Sequence, residues 1–266
     1  MLSPVITLTT DFGLRDPFVG MMKGVILSRC REARIVDITH EVAPQSVLEA
    51  AFILGESFAY FPHGTIHVGV VDPGVGSARK PMVMCTENYL FVGPDNGIFT
   101  RVEETEPVRE VVEIAKQDAM LPKVSATFHG RDVFGPAAAY LALGNKPSAL
   151  GPTLAEWTRL DYPKPRIGQD SITGQIIWVD RFGNLISNVS RTQIEEWSGS
   201  DRFAIQLGST VLHQVSASYA SVPSGQTVAV FGSGGFLELA TNRGNAAIAL
   251  NAGQGDMVFV TRVAGS

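Results

Sequence analysis

The stretch Thr65-Ile66-His67-Val68-Gly69-Val70-Val71 constrains the fold of this chain more than any other. An apolar run this continuous reads as a strand buried on both faces, as found in parallel sheets covered by helices. It stops abruptly at Asp72-Pro73-Gly74-Val75-Gly76-Ser77-Ala78-Arg79-Lys80, where Pro and Gly break the strand. Asp72 therefore falls at the strand's carboxyl end and Arg79 on the loop beyond, the edge of an open α/β sheet where ligands bind. Taken alone, the loop admits two readings. One is a tight turn in which Asp72 bonds its own backbone and Arg79 is solvated; the other is a site.

The flanking segments supply the rest of such a sheet. Val5 to Thr9 is a strand ending in the polar turn Thr10-Asp11-Phe12-Gly13-Leu14-Arg15-Asp16. Asp16-Pro17 predicts a helix start by N-cap and Pro-at-N1 logic, with Phe18, Met22, Val25 and Ile26 as its apolar stripe. Arg34 to Ile38 reads as a second strand. Ser46-Val47-Leu48-Glu49 has the form of a capping box opening a helix with the stripe Val47, Ala51, Leu54 and Phe58. Strand–helix–strand–helix–strand implies right-handed crossovers and a parallel sheet. Met82 to Cys85 and Tyr89 to Val92 read as short strands around Glu87-Asn88. A turn at Gly93 to Gly97, a strand at Val108 to Ile114 and a helix from Gly135 to Leu143 follow.

The Pro-rich connection Asp161-Tyr162-Pro163-Lys164-Pro165-Arg166 marks a domain boundary. Beyond it, short strands separated by Gly, Asn, Asp and Ser turns lie at Thr173 to Val179, Leu185 to Val189, Arg202 to Leu207, Thr210 to Val215, Thr227 to Phe231, Phe236 to Ala240 and Met257 to Val263. One helix near Arg191 to Trp197 is capped by Ser190 and Gln193. Close spacing without crossover helices reads as an antiparallel barrel or sandwich. The expected architecture is an α/β domain over residues 1–165 with a mainly parallel central sheet, then a smaller all-β, barrel-like domain over 166–266.

Bulk properties narrow the function classes. A net charge of −5 with no block of like charge argues against a nucleic-acid or anionic-membrane surface. Cys30 and Cys85 are isolated and form no CxxC, which fits a reduced, cytoplasmic protein without disulfides or a thiolate metal site. The start of the chain has no basic leader, and no apolar run approaches a membrane span. No His pair has helical spacing for zinc and no carboxylate run resembles a calcium loop, so no metal is expected. Neither GxxxxGK[ST] nor GxSxG occurs.

Polar clusters stand at strand ends or turns: Asp11/Asp16, Asp72/Arg79, Asp95/Asn96, His129/Arg131/Asp132 and Asp180/Asn184. Turn chemistry alone accounts for some of them, but several follow strands of one sheet, which favours a site along that edge. His129, one of five histidines, lies in a Gly-flanked loop before a helix; alone it reads first as a structural histidine. Gly232-Ser233-Gly234-Gly235 sits between strands and reads first as a hairpin turn.

In order along the chain stand Thr10-Asp11-Phe12-Gly13, Asp72-Pro73-Gly74-Val75-Gly76 with Arg79, Phe128-His129-Gly130-Arg131-Asp132, Asp180-Arg181-Phe182-Gly183-Asn184, and Asn242-Arg243-Gly244-Asn245-Ala246-Ala247. Together they resemble the S-adenosyl-L-methionine (SAM) hydroxide adenosyltransferase family, SAM hydrolases related to the fluorinases and chlorinases. The resemblance runs from about residue 5 to residue 263. It implies hydrolysis of SAM to adenosine and L-methionine without a cofactor, in a homotrimer with SAM held between subunits. The implied catalytic set is Asp72, Arg79 and His129. Asp11 is implied at the ribose hydroxyls. Asp16, Asp180 and Ser233 fall to the methionine end, and Phe182 and Asn184 to the adenine, with Arg243, Asn245 and Ala247. No contact carries over to Gln45, where fluorinases place a Trp.

Two departures separate the chain from the halogenases it resembles. They carry a Tyr in place of Asp72 and a different residue in place of His129, and fluorinases have a long insertion where Lys80 to Val92 passes through a short hairpin. Both point to water rather than halide as nucleophile. Attack at C5′ expels a neutral thioether, so the leaving group needs no acid, and the burden is to activate water. A SAM-dependent halogenase and a non-catalytic SAM or adenosine sensor are the competing expectations.

Overall fold

The computed structural model describes residues 3–263. The chain divides into two compact units, Met1–Asp161 and Tyr162–Ser266. The first opens with β1 (Val5–Thr10), α1 (Phe18–Arg29), β2 (Arg34–Thr39), α2 (Val47–Ser57) and β3 (Ile66–Val70). β1 pairs parallel with both β2 and β3, so α1 and α2 are crossover helices. All five residues of β3 are buried, as the apolar run requires. β4 (Pro81–Thr86), β5 (Leu90–Pro94), α3 (Thr100–Glu103), β6 (Val108–Glu113) and α4 (Gly135–Ala142) complete the unit.

The sheet order is β2-β1-β3-β5-β4-β6. It is mixed, not mainly parallel as expected from sequence. β3 and β5 are parallel, but β4 pairs antiparallel with both β5 and β6. The physical reason is the connections. Residues 71–80 form a loop without a helix, and Glu87-Asn88-Tyr89 turns tightly from β4 into β5; neither can carry a parallel crossover.

Helix starts also differ in detail. Pro17, not Asp16, occupies the cap of α1, with no side-chain cap. Ser46 Oγ accepts from Glu49 N, but the Glu49 carboxylate takes the Ala43 N–H instead of completing the box. Two apolar layers enclose the sheet. Ile6, Leu8 and Val68 pack with Met22 and Ile26 of α1 and Ala137 and Ala138 of α4. Val71, Met84 and Phe91 pack with Leu54 of α2, Phe99 and Val102.

The second unit contains β7 (Arg166–Ile167), β8 (Ser171–Val179), β9 (Leu185–Ser190), α5 (Arg191–Ser198), β10 (Phe203–Leu207), β11 (Thr210–Leu212), β12 (Val215–Ser216), β13 (Thr227–Phe231), β14 (Phe236–Thr241), α6 (Ala246–Leu250) and β15 (Met257–Arg262). Its strands run β11-β10-β15-β8-β9-β14-β13-β12 in one nearly closed, barrel-like sheet, with β7 beside β8. The pairs are antiparallel except β12–β13. Ser190 and Gln193 form the full capping box expected at α5. No helix among the described residues is long and apolar enough to cross a membrane.

His67 of β3 shows what the double-sided burial does to an ionisable group. Its ring stacks on Phe91 at 5.0 Å and meets Phe58 and Phe61 edge-on. Nδ1 lies 2.8 Å from Thr7 Oγ1. Burial lowers its pKa from 6.5 to about 3. The folded state therefore refuses a proton that the unfolded chain takes up. This contribution to stability is complete above pH 6.5 and is lost as pH falls toward 3. At about 1.4 kcal/mol per pH unit, His67 should account for about 2 kcal/mol of the stability lost between pH 7 and pH 5. Denaturant unfolding at both values should show a drop smaller by that amount in His67→Gln; an equal drop would contradict the assignment.

Candidate active site

The buried end of β3 delivers Asp72 to the carboxyl edge of the sheet. Two successive turns, Val75 N to Asp72 O at 3.2 Å and Ser77 N to Gly74 O at 3.0 Å, fold the loop back on itself. Arg79 thereby returns to the residue that began the loop. Its Nε donates to both Asp72 oxygens at 3.0 Å each, and Nη2 donates to Oδ2 as well. The same Nη2 donates to His129 Nδ1 at 2.6 Å. The guanidinium lies 5.4 Å from the centroid of the Phe134 ring, and the Asp72 and Arg79 side chains are only 6% and 9% exposed. A planar, delocalised cation on an aromatic face can serve two acceptors in such a dry position.

The arrangement fixes the His129 tautomer. Arg79 has no acceptor, so Nδ1 must offer a lone pair and the neutral ring carries its proton on Nε2. Burial and then the Arg79 charge hold the His129 pKa below 6.5; Asp72, Asp132 and a hydrogen bond to the Ser125 main chain oppose this without reversing it.

The segment that carries His129 has its own clamp. Asp132 is fully buried. It accepts from Ser125 N at 2.8 Å and, through both oxygens, from Arg131 at 2.6 and 3.0 Å. Burial pushes this carboxyl up, but the bonds from Arg131 and Ser125 win and hold it below the usual range. Residues 130–134 make one π-helical turn directly before α4, a feature common at functional sites. Gly76 joins the two loops. Its φ is +79°, and a Cβ there would stand 2.5 Å from the Ala126 carbonyl oxygen. Only glycine satisfies both conditions.

Asp11, Asp72 and His129 line one cleft of about 370 Å³. Phe12, Phe18 and Phe128 also line it and contact each other edge-to-face at 5.2 to 6.0 Å. Asp11 Oδ2 accepts from the main chain of Gln45, itself left-handed at φ 66°. Asp16 is exposed in the turn before α1 and outside that lining. The Asp95/Asn96 cluster is pinned internally: Asp95 Oδ1 accepts from Thr158 N, and Asn96 Nδ2 donates to Val71 O.

In the second unit Asp180 builds the β8–β9 turn. Its Oδ1 accepts from Phe182 N and Asn184 N, and its Oδ2 from Asn184 Nδ2, at 2.8 to 2.9 Å. Gly183, at φ +82°, packs so closely on the Asn245 side chain that a Cβ would overlap it. Its carbonyl accepts from Ala247 N at 3.0 Å. Asn245 caps α6 through Ile248 N. The structure thus brings Phe182, Asn184, Asn245 and Ala247 together, with the Phe182 ring 75% exposed. Arg243 is exposed and left-handed at φ 55°. Ser233 lies exposed in the β13–β14 hairpin.

Nothing in the sequence flagged Glu238, whose carboxylate lies directly over Gly232 and accepts from Tyr219 Oη at 2.8 Å. Burial raises its pKa, and the nearby Asp180 charge adds to this despite the Tyr219 bond. Burial, Glu238 and Asp180 raise the Tyr219 pKa to about 12.

These features define a two-domain protein with a carboxylate–guanidinium–imidazole set on an α/β cleft and an exposed aromatic ring on a β-domain turn. Models of the SAM hydroxide adenosyltransferase N-terminal and C-terminal domains match residues 6–151 and 174–259. The chain belongs to this family. It is 38% identical to an (R)-S-adenosyl-L-methionine hydrolase of Thermus thermophilus, across 96% of this chain and 98% of the relative. A fluorinase of Nocardia brasiliensis is 26% identical over 97% and 96% of the two chains. The crystal structure of an uncharacterized conserved protein from Thermotoga maritima superposes with a TM-score of 0.91 at 35% identity, over 97% of this chain and all of that one.

The tautomer is directly testable. Nitrogen-detected NMR should find neutral His129 protonated at Nε2 and bare at Nδ1, with a pKa below 6.5 that rises in Arg79→Met. A proton on Nδ1 would contradict the Arg79 bridge.

Proposed function

We propose that the protein hydrolyses SAM to adenosine and L-methionine by attack of an activated water at C5′, with no cofactor. The Arg79 bridge between Asp72 and His129 carries this reading, with the family membership and the hydrolase relatives behind it. The C5′–S bond breaks with its electron pair going to sulfur, which leaves as a neutral thioether. The C5′–O bond forms from water, which loses one proton to the site.

Asp72, Arg79 and His129 divide that work. The Nδ1 lone pair of His129 is committed to Arg79, so the Asp72 carboxylate, which has lone pairs to spare, accepts the water proton. His129 orients, and Arg79 stabilises negative charge developing on oxygen. A sulfonium and a forming hydroxide neutralise each other in the transition state, so a site with little water favours the reaction. Asp11 faces the ribose hydroxyls, with Asp16, Asp180 and Ser233 at the methionine end. Phe182, Asn184, Arg243, Asn245 and Ala247 frame the adenine.

Each unit carries part of this set, and we propose a homotrimer in which neighbouring subunits complete each site. A cytoplasmic location is part of the same proposal: SAM as substrate and two buried free cysteines suit a reducing compartment.

Purified protein incubated with SAM and excess chloride should release adenosine and methionine; 5′-chloro-5′-deoxyadenosine would replace hydrolase by halogenase. The assay should include both sulfonium epimers, because the curated relatives are named for the R form. Asp72→Ala and His129→Ala should each lower turnover about 10²-fold or more. Wild-type turnover in both would overturn the residue assignment, and SAM binding without product would identify a sensor.

A further inference from the structure

The turn after β5 grips both ends of the Asp72–Arg79 loop. β3 and β5 pair in constant register, Ile66 with Leu90, His67 with Phe91 and Val68 with Val92. Continued in that register, the ladder sets Pro94 opposite Val70. Proline has no N–H to donate, so the ladder ends there. The chain then turns through Asn96 N to Pro94 O at 3.0 Å. Leu90 N donates to Thr65 O, so in the same spacing Asn96 N would have met the carbonyl of Val71, which is fully buried and directly precedes Asp72.

The Asn96 side chain takes the place of the missing rung. Its Nδ2 donates to Val71 O at 2.8 Å, and its Oδ1 accepts from Ile98 N at 3.2 Å. The two bonds demand one donor and one acceptor, which a carboxamide supplies and a carboxylate does not. At the loop's other end, Asp95 N donates to the carbonyl of Lys80, next to Arg79, at 2.8 Å. The Val71 carbonyl lies in the same peptide plane as the Asp72 N–H, so holding it sets the direction in which the Asp72 side chain leaves the sheet.

We propose that Asn96 is a positioning residue for the hydrolysis. By standing in for its own main-chain N–H, which is turned back to Pro94 O, the side chain holds the Val71–Asp72 peptide so that Asp72 meets both Arg79 and the attacking water. Asn96 reaches substrate only through Asp72, and the proposal rests on the role assigned to Asp72 above. A misplacement of about 1 Å at a reacting group costs up to about 10² in rate, so the effect should fall on kcat rather than on SAM binding.

Steady-state kinetics of Asn96→Ala, with melting temperatures, tests this. The expected result is a kcat about 10- to 100-fold lower with a KM for SAM within about threefold of wild type. Asn96→Asp keeps the shape of the side chain and an acceptor for Ile98 N but removes the donor. It should show the same split, and it carries the test if Asn96→Ala does not fold. Thr100→Val, which loses the bonds to Gly97 O and Leu160 N in the adjoining segment, is the stability control and should keep its kcat. Retained kcat in the folded Asn96 variants, or a kcat loss in Thr100→Val matching theirs, would overturn the proposal. Asp72→Ala measured alongside separates the two levels. If it keeps full turnover, the role of Asp72 fails; if it is inactive while the Asn96 variants are not, only the positioning fails.

Discussion

One guanidinium holds the site together. Arg79 donates to both oxygens of Asp72 and to Nδ1 of His129, and so ties the loop after β3 to the segment before α4. Isolating an ion pair this deeply carries a desolvation cost comparable to its attraction, so its worth lies in geometry more than in stability. The surrounding sequence serves that geometry. Gly76 lets the first loop touch the Ala126 backbone, Asp132 braces the second, and the ladder end at Pro94 and Asn96 aims the carboxylate.

The same contact sets the chemistry. The hydrogen bond donated by Arg79 to Nδ1 keeps His129 neutral, with its own proton on Nε2. That leaves the carboxylate as the proton acceptor and makes the imidazole an orienting group. A 10²-fold share of the rate corresponds to about 2.7 kcal/mol of transition-state stabilisation, well within what one oriented, desolvated hydrogen-bonding group contributes. The sulfonium supplies the rest of the driving force through its neutral leaving group, so the site needs to prepare only one water.

Much of this was legible in the residues. The unbroken apolar run ending at Asp72 fixed a buried strand with a polar end, and the helical stripes around Met22 and Leu54 placed the crossovers. The reversed strand Pro81–Thr86 was harder to see, because strand direction depends on whether a connection carries a crossover, and residues 71–80 carry a site loop instead. Asn96 stood out in the sequence only as a turn residue. Its work depends on register, since the Asn96 N–H that the ladder spacing aims at Val71 O turns back to Pro94 instead, which no local pattern reveals. Glu238 was invisible for a similar reason: its environment comes from Tyr219 and Asp180, which are distant in the chain, as well as from Gly232 in the adjoining hairpin. The short helix Ala246–Leu250 was missed because five residues are too few to show a period; its cap, Asn245, is the signal that was available.

The central claim is that the Arg79-bridged pair delivers water to a saturated carbon and expels a thioether. Hydrolysis of SAM in ¹⁸O-labelled water, followed by mass spectrometry of both products, tests it most directly. The label should appear once, on the 5′ oxygen of adenosine, with methionine unlabelled. Unlabelled adenosine, or a 5′-halogenated nucleoside in its place, would contradict it.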